Sequence, residues 1–156
     1  MSSYEVDDNK FPHQTVVFIQ SKFKGVEGWT TSSGTIVGRN DILTASHCVY
    51  DERYGGWATE TKIYASKNAY LSDPNSYYTF KWGSTFNWDE NGDGLLSLGD
   101  NNFSTLYEIE NDIALLSLTT DIASVYGSMG LKFDFGGGTA SKLGYSSNYN
   151  FNLYYD

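Results

Sequence analysis

The sequence has little cysteine, little proline and few basic side chains. One cysteine excludes an internal disulfide, and only two of the 156 residues are proline. Ten Lys and Arg residues stand against nineteen Asp and Glu residues, which gives a net charge of −9. The longest basic cluster is the short stretch 22–24. The acidity therefore argues against a phosphate-binding or nucleic-acid-binding surface.

Long apolar runs are also missing. No run approaches the roughly 20 residues of a membrane-spanning helix, so we predict no membrane span. Residues 1–8 lack the basic and apolar regions of a signal peptide, which means that a leader has been removed or that any export uses a signal elsewhere. The length suits one domain of ordinary size.

Aromatic residues and glycine are abundant. Thirteen Tyr, nine Phe, four Trp and sixteen Gly residues favour many short strands joined by glycine turns. We therefore predict an all-β protein. The clearest alternating or β-rich runs predict strands at 15–20, 61–66 and 77–82, with a turn at 73–76.

The stretch 33–49 predicts a β-hairpin that leads into a histidine. Two β-branched runs, 35–37 and 42–44, flank the turn residues 38–41. Small residues follow at 45 and 46, so His47 is expected at the end of a strand, facing a cleft. A general base needs such a fixed but accessible position.

Two neighbouring candidates receive simpler interpretations. Cys48 is predicted to be a small buried apolar residue beside His47, not a nucleophile. His13, the other histidine, stands in a polar context and is predicted to lie on the surface.

Asp112 is the second candidate for the site. It precedes an apolar run in which Ile113, Leu115 and Leu118 are predicted to form a buried strand. Such a strand draws the carboxylate partly out of water, which costs several kcal/mol unless hydrogen-bond donors compensate. An imidazole N–H would be such a donor.

These stretches resemble two motifs of the chymotrypsin-fold serine proteases, especially the bacterial trypsin-like and glutamyl-endopeptidase branch. The histidine motif is represented by Gly-Thr-Ile-Val-Gly at 34–38 and Leu-Thr-Ala-Ser-His-Cys at 43–48, and the aspartate motif by Asn-Asp-Ile-Ala-Leu-Leu-Ser-Leu at 111–118. The resemblance implies a Greek-key β-barrel in which His47 is the general base and Asp112 orients it. It also implies a secreted enzyme that acts on protein or peptide substrates. The sequence does not predict the oligomeric state, and a monomer is taken as the default.

The chain departs from the family pattern in three places. Ser46 stands where the family usually has alanine, and Ser33 stands where extracellular relatives have the disulfide partner of Cys48. The third motif, Gly-x-Ser-Gly-Gly, is absent. Four serines in the later part of the chain lack its glycine context and are not predicted to be nucleophiles: Ser128, Ser141, Ser146 and Ser147.

The absence of the Gly-x-Ser-Gly-Gly motif affects the predicted domain organisation. The resemblance implies an N-terminal arm at 1–13, a complete first barrel at 14–119, and a linker with only the start of a second barrel at 120–156. We expect the chain to end before its nucleophile and specificity pocket. It is therefore expected to be inactive by itself.

Residues 89–100 predict a structural Ca²⁺ site. They fit a calcium-loop pattern of oxygen donors at fixed spacing, with Gly94 at the sharp bend and aspartate in place of the final glutamate. No helical pattern flanks them, so we predict an isolated loop inserted between strands. The alternative is a solvated acidic turn. The predicted ligands are Asp89, Asn91, Asp93, the carbonyl of Leu95, and Asp100.

Two other functions remain open from the sequence. One is a catalytically inactive binding module of the same fold that has kept His47 and Asp112. The other is a calcium-stabilised surface or adhesion module, which predicts that these two residues lie far apart.

Overall fold

The computed structural model describes residues 4–89, 92, 94, 110–132, 136–137, 142–145 and 153–155, the last three by their backbone alone. Within this part the chain forms short strands, two short helices and three 3₁₀ turns. The strands are β1 Tyr4–Glu5, β2 Val16–Lys22, β3 Thr30–Ile36, β4 Asp41–Thr44, β5 Tyr50–Asp51, β6 Gly56–Trp57, β7 Glu60–Tyr64, β8 Phe80–Thr85, β9 Ala114–Leu118, β10 Leu143–Tyr145 and β11 Leu153–Tyr155. The helices are α1 Lys67–Ser72 and α2 Ala123–Tyr126, and the 3₁₀ turns are His13–Thr15, Ser46–Cys48 and Glu52–Tyr54.

Six strands form one antiparallel sheet in the order β7-β2-β3-β4-β9-β8. A bridge between Ile63 in β7 and Tyr78, just before β8, brings the two edges of this sheet together. The sheet is therefore curled into a barrel-like half of the fold, which confirms the predicted all-β class. The predicted strand at 77–82 begins later, at Phe80. Helix α1 was not predicted, although Ser66 caps it by accepting a hydrogen bond from the Ala69 backbone N–H.

The predicted hairpin at 33–49 is present as β3 and β4. Thr35 pairs with Leu43, Ile36 pairs with Ile42, and the Val37 N–H donates to the Asp41 carbonyl at 2.9 Å. Close packing explains the glycine at position 34, because a Cβ there would lie 2.7 Å from Cγ2 of Ile42. The absence of a side chain lets the residues around β3 pack closely at this point.

The prediction of which side chains of β9 face the core was wrong at the start of the strand. Ile113 is 44% exposed, whereas Ala114, Leu116 and Leu118 are buried. Side chains alternate along a strand, and β9 begins at Ala114, so the even-numbered residues face the core. Leu115 is only partly buried.

Strand β2 is apolar throughout its first half because both of its faces are covered. Val17 and Ile19 belong to the main core of the curled sheet. Val16 and Phe18 point the other way and pack with Tyr64 and Tyr145. Both faces of β2 are therefore removed from water, which explains a continuous apolar run in place of alternation.

A second, three-stranded sheet has the order β1-β11-β10, so the predicted arm at 1–13 contains a paired strand. Ser33, at the position of the expected cysteine partner, joins the two sheets: its Oγ accepts the Tyr145 backbone N–H at 2.7 Å. No helix in the described ranges is both long and apolar enough to cross a membrane.

Candidate functional site

His47 and Asp112 meet at one end of two paired strands. His47 lies in the 3₁₀ turn after β4, and Asp112 lies just before β9, while Thr44 of β4 pairs with Ala114 of β9. The pairing brings together two residues that are 65 positions apart. His47 Nδ1 lies 2.7 Å from Asp112 Oδ2, and the His47 backbone N–H donates to Oδ1 at 2.8 Å. This closeness is contrary to what the adhesion-module alternative predicts.

The pair is asymmetric in its exposure. The Asp112 side chain is 13% exposed and the His47 side chain 44%. The hydrogen bond with Asp112, followed by one with Cys48, raises the pKa of His47 from its ordinary 6.5 to about 10. The carboxylate therefore stabilises the imidazolium form of His47.

The other ring nitrogen of His47 contacts a thiol. Cys48 Sγ lies 3.6 Å from His47 Nε2, and the half-buried Cys48 packs against the main core. The predicted apolar environment is thus only part of its surroundings. Because Nδ1 is occupied by Asp112, Nε2 is the nitrogen that can exchange a proton with another group.

Ser46 and Thr85 form a brace behind the histidine that the sequence did not reveal. Ser46 is fully buried; its Oγ lies 2.5 Å from Thr85 Oγ1 and donates to the Phe86 carbonyl at 3.0 Å. Thr85 Oγ1 also lies 3.3 Å from the carbonyl of Ile113, the residue after Asp112. The brace connects the histidine turn, the end of β8 and the start of β9. The departure from alanine at position 46 was its only sequence signal.

Trp88 forms a wall beside the imidazole. It is only 3% exposed, its ring centroid lies 6.0 Å from that of His47, and the planes meet at 74°. Its indole N–H donates to the Tyr50 carbonyl at 2.7 Å. The ring is therefore held by the backbone on one side of the base. No spacing rule links positions 47 and 88, so the contact was not predicted.

The first residue of the predicted calcium loop lies next to this wall. The Asp89 side chain is fully buried; its Oδ2 accepts the Gly94 N–H at 3.1 Å and lies 3.7 Å from Arg53 Nε. Its other oxygen, Oδ1, is buried and has no hydrogen-bond partner among the described residues. The other predicted ligands lie outside the described residues: Asn91, Asp93, Leu95 and Asp100. Within the described part of the chain, no three His, Cys, Asp or Glu side chains gather as a metal cluster.

The remaining candidates lie apart from this arrangement. His13 is partly buried at the end of the arm, not fully on the surface as predicted, and its Nδ1 lies 3.1 Å from the Asp7 carbonyl. Ser128 is exposed after α2. The other serines considered above, Ser141, Ser146 and Ser147, fall outside the described residues.

The geometry agrees with comparisons to known proteins. The trypsin family model matches residues 1–131. The fold is similar to that of the protease Anisep from Arthrobacter nicotinovorans, with 21% identity, a TM-score of 0.65, and coverage of 95% of this chain and 64% of that one. It is also similar to a Glu endopeptidase, with 18% identity, a TM-score of 0.66, and coverage of 99% and 66% respectively.

A third similar structure is the scabies mite inactivated protease paralogue S-I1, with 19% identity, a TM-score of 0.61, and coverage of 100% of this chain and 64% of that one. This chain therefore spans about two thirds of the length of the structures that it matches. No curated protein matches the sequence. The extent of the family match and the shared fold lead to one conclusion: the chain belongs to the trypsin family.

Proposed function

We propose that this chain carries the base-bearing half of a serine endopeptidase active site, with His47 as the general base and Asp112 as the residue that orients it. The supporting observation is the double attachment of His47 to Asp112, through Nδ1 at 2.7 Å and through the backbone N–H at 2.8 Å. A carboxylate on Nδ1 selects the tautomer in which Nε2 is the proton acceptor. Nε2 would take the proton of a serine hydroxyl as its oxygen attacks the scissile carbonyl.

The nucleophile would come from residues that are not in this chain. Acyl transfer needs a serine near Nε2 and backbone N–H donors for the oxyanion. The Gly-x-Ser-Gly-Gly motif that provides both in the family is absent from the 156 residues. By this proposal the chain alone hydrolyses nothing, and a longer polypeptide that contains it acts on protein or peptide substrates outside the cell.

The raised pKa of His47 fits an incomplete site. A general base works best when its pKa lies near the working pH, and the pKa of His47 is raised to about 10. Packing of a second barrel over the half-exposed imidazole would remove water from it. Desolvation favours the neutral form, so completing the site would lower the pKa of His47 towards the range of a working base.

A second candidate is an inactive binding module of the same fold. It is supported by one structure of similar fold that is named as an inactivated protease paralogue. The two candidates differ in one respect: only the endopeptidase acquires a reactive serine in the longer polypeptide.

A serine-directed fluorophosphonate probe separates the two. We expect a longer polypeptide that carries this chain to be labelled and to cleave peptides, and the 156-residue chain to do neither. In that polypeptide Asp112→Asn should lower kcat by about 10⁴-fold, because the wrong tautomer of His47 is favoured. His13→Gln, which alters the other histidine, should leave kcat unchanged. A longer polypeptide that folds but resists the probe would establish the inactive module instead.

A further inference from the structure

Trp88 is a buried indole that lies outside the main core. It is only 3% exposed, yet it belongs to neither of the two apolar clusters that the described residues form. The groups around it include a ring, a backbone oxygen and a cation: the imidazole of His47, the carbonyl of Tyr50 and the guanidinium of Arg53. Because a large buried aromatic usually packs in an apolar cluster, this set of neighbours indicates a role besides stability.

The three groups come from one short segment, residues 47–53. The indole N–H donates to the Tyr50 carbonyl at 2.7 Å, and Cζ of Arg53 lies 5.9 Å from the indole centroid. The His47 and Trp88 rings meet at 74° with their centroids 6.0 Å apart, which is an ordinary geometry for an aromatic pair. The segment that carries the base therefore also sets the position of the indole beside it.

Arg53 is itself held in place by Asp51. Its Nη2 donates to Asp51 Oδ2 at 2.7 Å and its Nε donates to Oδ1 at 3.0 Å, which makes a bidentate pair. Asp51 is buried and also accepts the Arg53 backbone N–H at 3.0 Å. A planar guanidinium fixed in this way can stay beside an aromatic ring, whereas the ammonium of a lysine is a point charge on a flexible stem. The ion pair thus gives Trp88 a second, rigid support.

His47 needs a neighbour of this kind because its hydrogen bond does not fix the ring completely. The side chain is 44% exposed, and the contact between Nδ1 and Asp112 Oδ2 sets a distance but not the tilt of the ring. A histidine with open space beside it can change rotamer and leave its carboxylate. The indole fills the space on one side of the imidazole, so it removes alternative rotamers on that side.

We propose that Trp88 is a positioning residue for His47, and that Arg53 acts on the imidazole by holding the indole in place. The indole keeps the imidazole on Asp112, so that Nε2 keeps a constant direction. Neither Trp88 nor Arg53 exchanges a proton in this role. The consequence for catalysis rests on the proposed function, whereas the positioning itself is tested on the 156-residue chain.

The first test measures how well the Nδ1 proton of His47 is retained in its hydrogen bond with Asp112. NMR follows the exchange of this proton with water at fixed pH, in a His13→Gln background that leaves one histidine. We expect Trp88→Leu to speed the exchange about tenfold, because the ring gains access to other rotamers and to water. Trp88→Phe keeps an aromatic ring but cannot bond to the Tyr50 carbonyl, so its exchange should lie between Trp88→Leu and the wild type.

Matched variants separate positioning from stability. Trp57→Leu removes an indole that packs against the main core, so it should lower the stability in urea but leave the proton exchange unchanged. Arg53→Lys keeps the charge beside Asp51 and removes the planar fork, so it should speed the exchange about threefold. Arg39→Lys makes the same change in the exposed pair with Asp121 and should have no effect.

The same measurement can overturn the proposal. Wild-type exchange in a Trp88→Leu variant that has only lost stability would make Trp88 a structural residue, and so would an equal increase in Trp57→Leu. Wild-type exchange in Arg53→Lys would overturn the role of Arg53. Should Trp88→Leu fail to fold, Trp88→Phe and Arg53→Lys decide the question, and wild-type exchange in both would reject the proposal.

The second test uses a longer polypeptide that the fluorophosphonate labels. Trp88→Leu should lower kcat about tenfold and change KM less than about twofold, because a displaced base slows proton transfer without altering the binding of substrate. Trp88→Phe should recover part of kcat. A raised KM with an unchanged kcat would contradict positioning. A longer polypeptide that resists the probe would reject the proposed function, while the proton exchange in the 156-residue chain would still decide the role of Trp88.

Discussion

Two carboxylates near the histidine turn are largely removed from water, and the fold treats them differently: Asp112 bonds to His47, and Asp89 follows Trp88, whose ring lies beside the imidazole. Both oxygens of Asp112 receive hydrogen bonds from His47, one from the ring and one from the backbone. Within the described part of the chain, Asp89 has one oxygen bonded to the Gly94 N–H and the other without a hydrogen-bond partner. Strand pairing therefore brings Asp112 its hydrogen-bond donors, whereas the guanidinium of Arg53 stays 3.7 Å from Asp89 and is bonded to Asp51.

The two carboxylates also differ in what fixes their positions. β4 and β9 are paired along Asp41 to Thr44, so the positions of the residues at their ends follow from the register. Asp89 lies beyond the end of β8 and depends on a turn, an arginine and a glycine for its placement. A position set by backbone pairing tolerates an exposed partner such as His47, but a buried carboxylate in a turn needs its own counter-charge.

The largest expected effect separates the two carboxylates by their action on His47. In the 156-residue chain, Asp112→Asn should lower the pKa of His47 from about 10 towards its ordinary 6.5, because the main cause of the increase is removed. Asp89→Asn should change it far less, because Asp89 is not among the causes of the increase. NMR titration of the imidazole measures both. Equal shifts in the two variants would show that Asp112 has no special role.

Cys48→Ser tests the contribution of the Cys48 thiol to the raised pKa of His47, and it is compared with Asp112→Asn. The hydrogen bond with Cys48 is the next largest cause that raises the pKa of His47, after the one with Asp112. The serine variant should therefore lower the pKa less than Asp112→Asn does. A larger decrease in Cys48→Ser would mean that the thiol, not the carboxylate, governs the imidazole.

The same pair predicts how stability depends on pH. The pKa of His47 is higher in the folded chain, at about 10, than its ordinary 6.5, so the pair contributes its full stabilisation below pH 6.5 and loses it as the pH rises through 10. Urea unfolding of the wild type compared with Asp112→Asn should show a difference that shrinks over this window. Asp89→Asn should keep the wild-type dependence. A difference between wild type and Asp112→Asn that stays constant over the window would contradict the ion pair.

Sequence reasoning located His47 and Asp112 because both stand beside strong local patterns. The hairpin at 33–49 is specified by its turn residues, and the apolar run after Asp112 marks a strand. The face of that strand was misjudged because a large Ile113 was preferred to a small Ala114, and small residues fit a crowded core. Contacts of Trp88 and Ser46 follow from the curvature of the sheet, which brings the end of β8 over the histidine turn. No periodicity within a short stretch carries that information.

The smallest expected effect concerns the brace behind His47. Ser46→Ala removes the hydrogen bond to the Phe86 carbonyl and leaves Thr85 without its buried neighbour, so it should lower the free energy of unfolding by about 1 kcal/mol. The exposed Ser84→Ala in the same strand as Thr85 should cost less than about 0.5 kcal/mol. Urea denaturation measures both, and the His47 titration shows whether the brace also orients the ring. A Ser46→Ala variant as stable as the wild type would mean that the pairing of β4 with β9 positions the histidine without a contribution from β8.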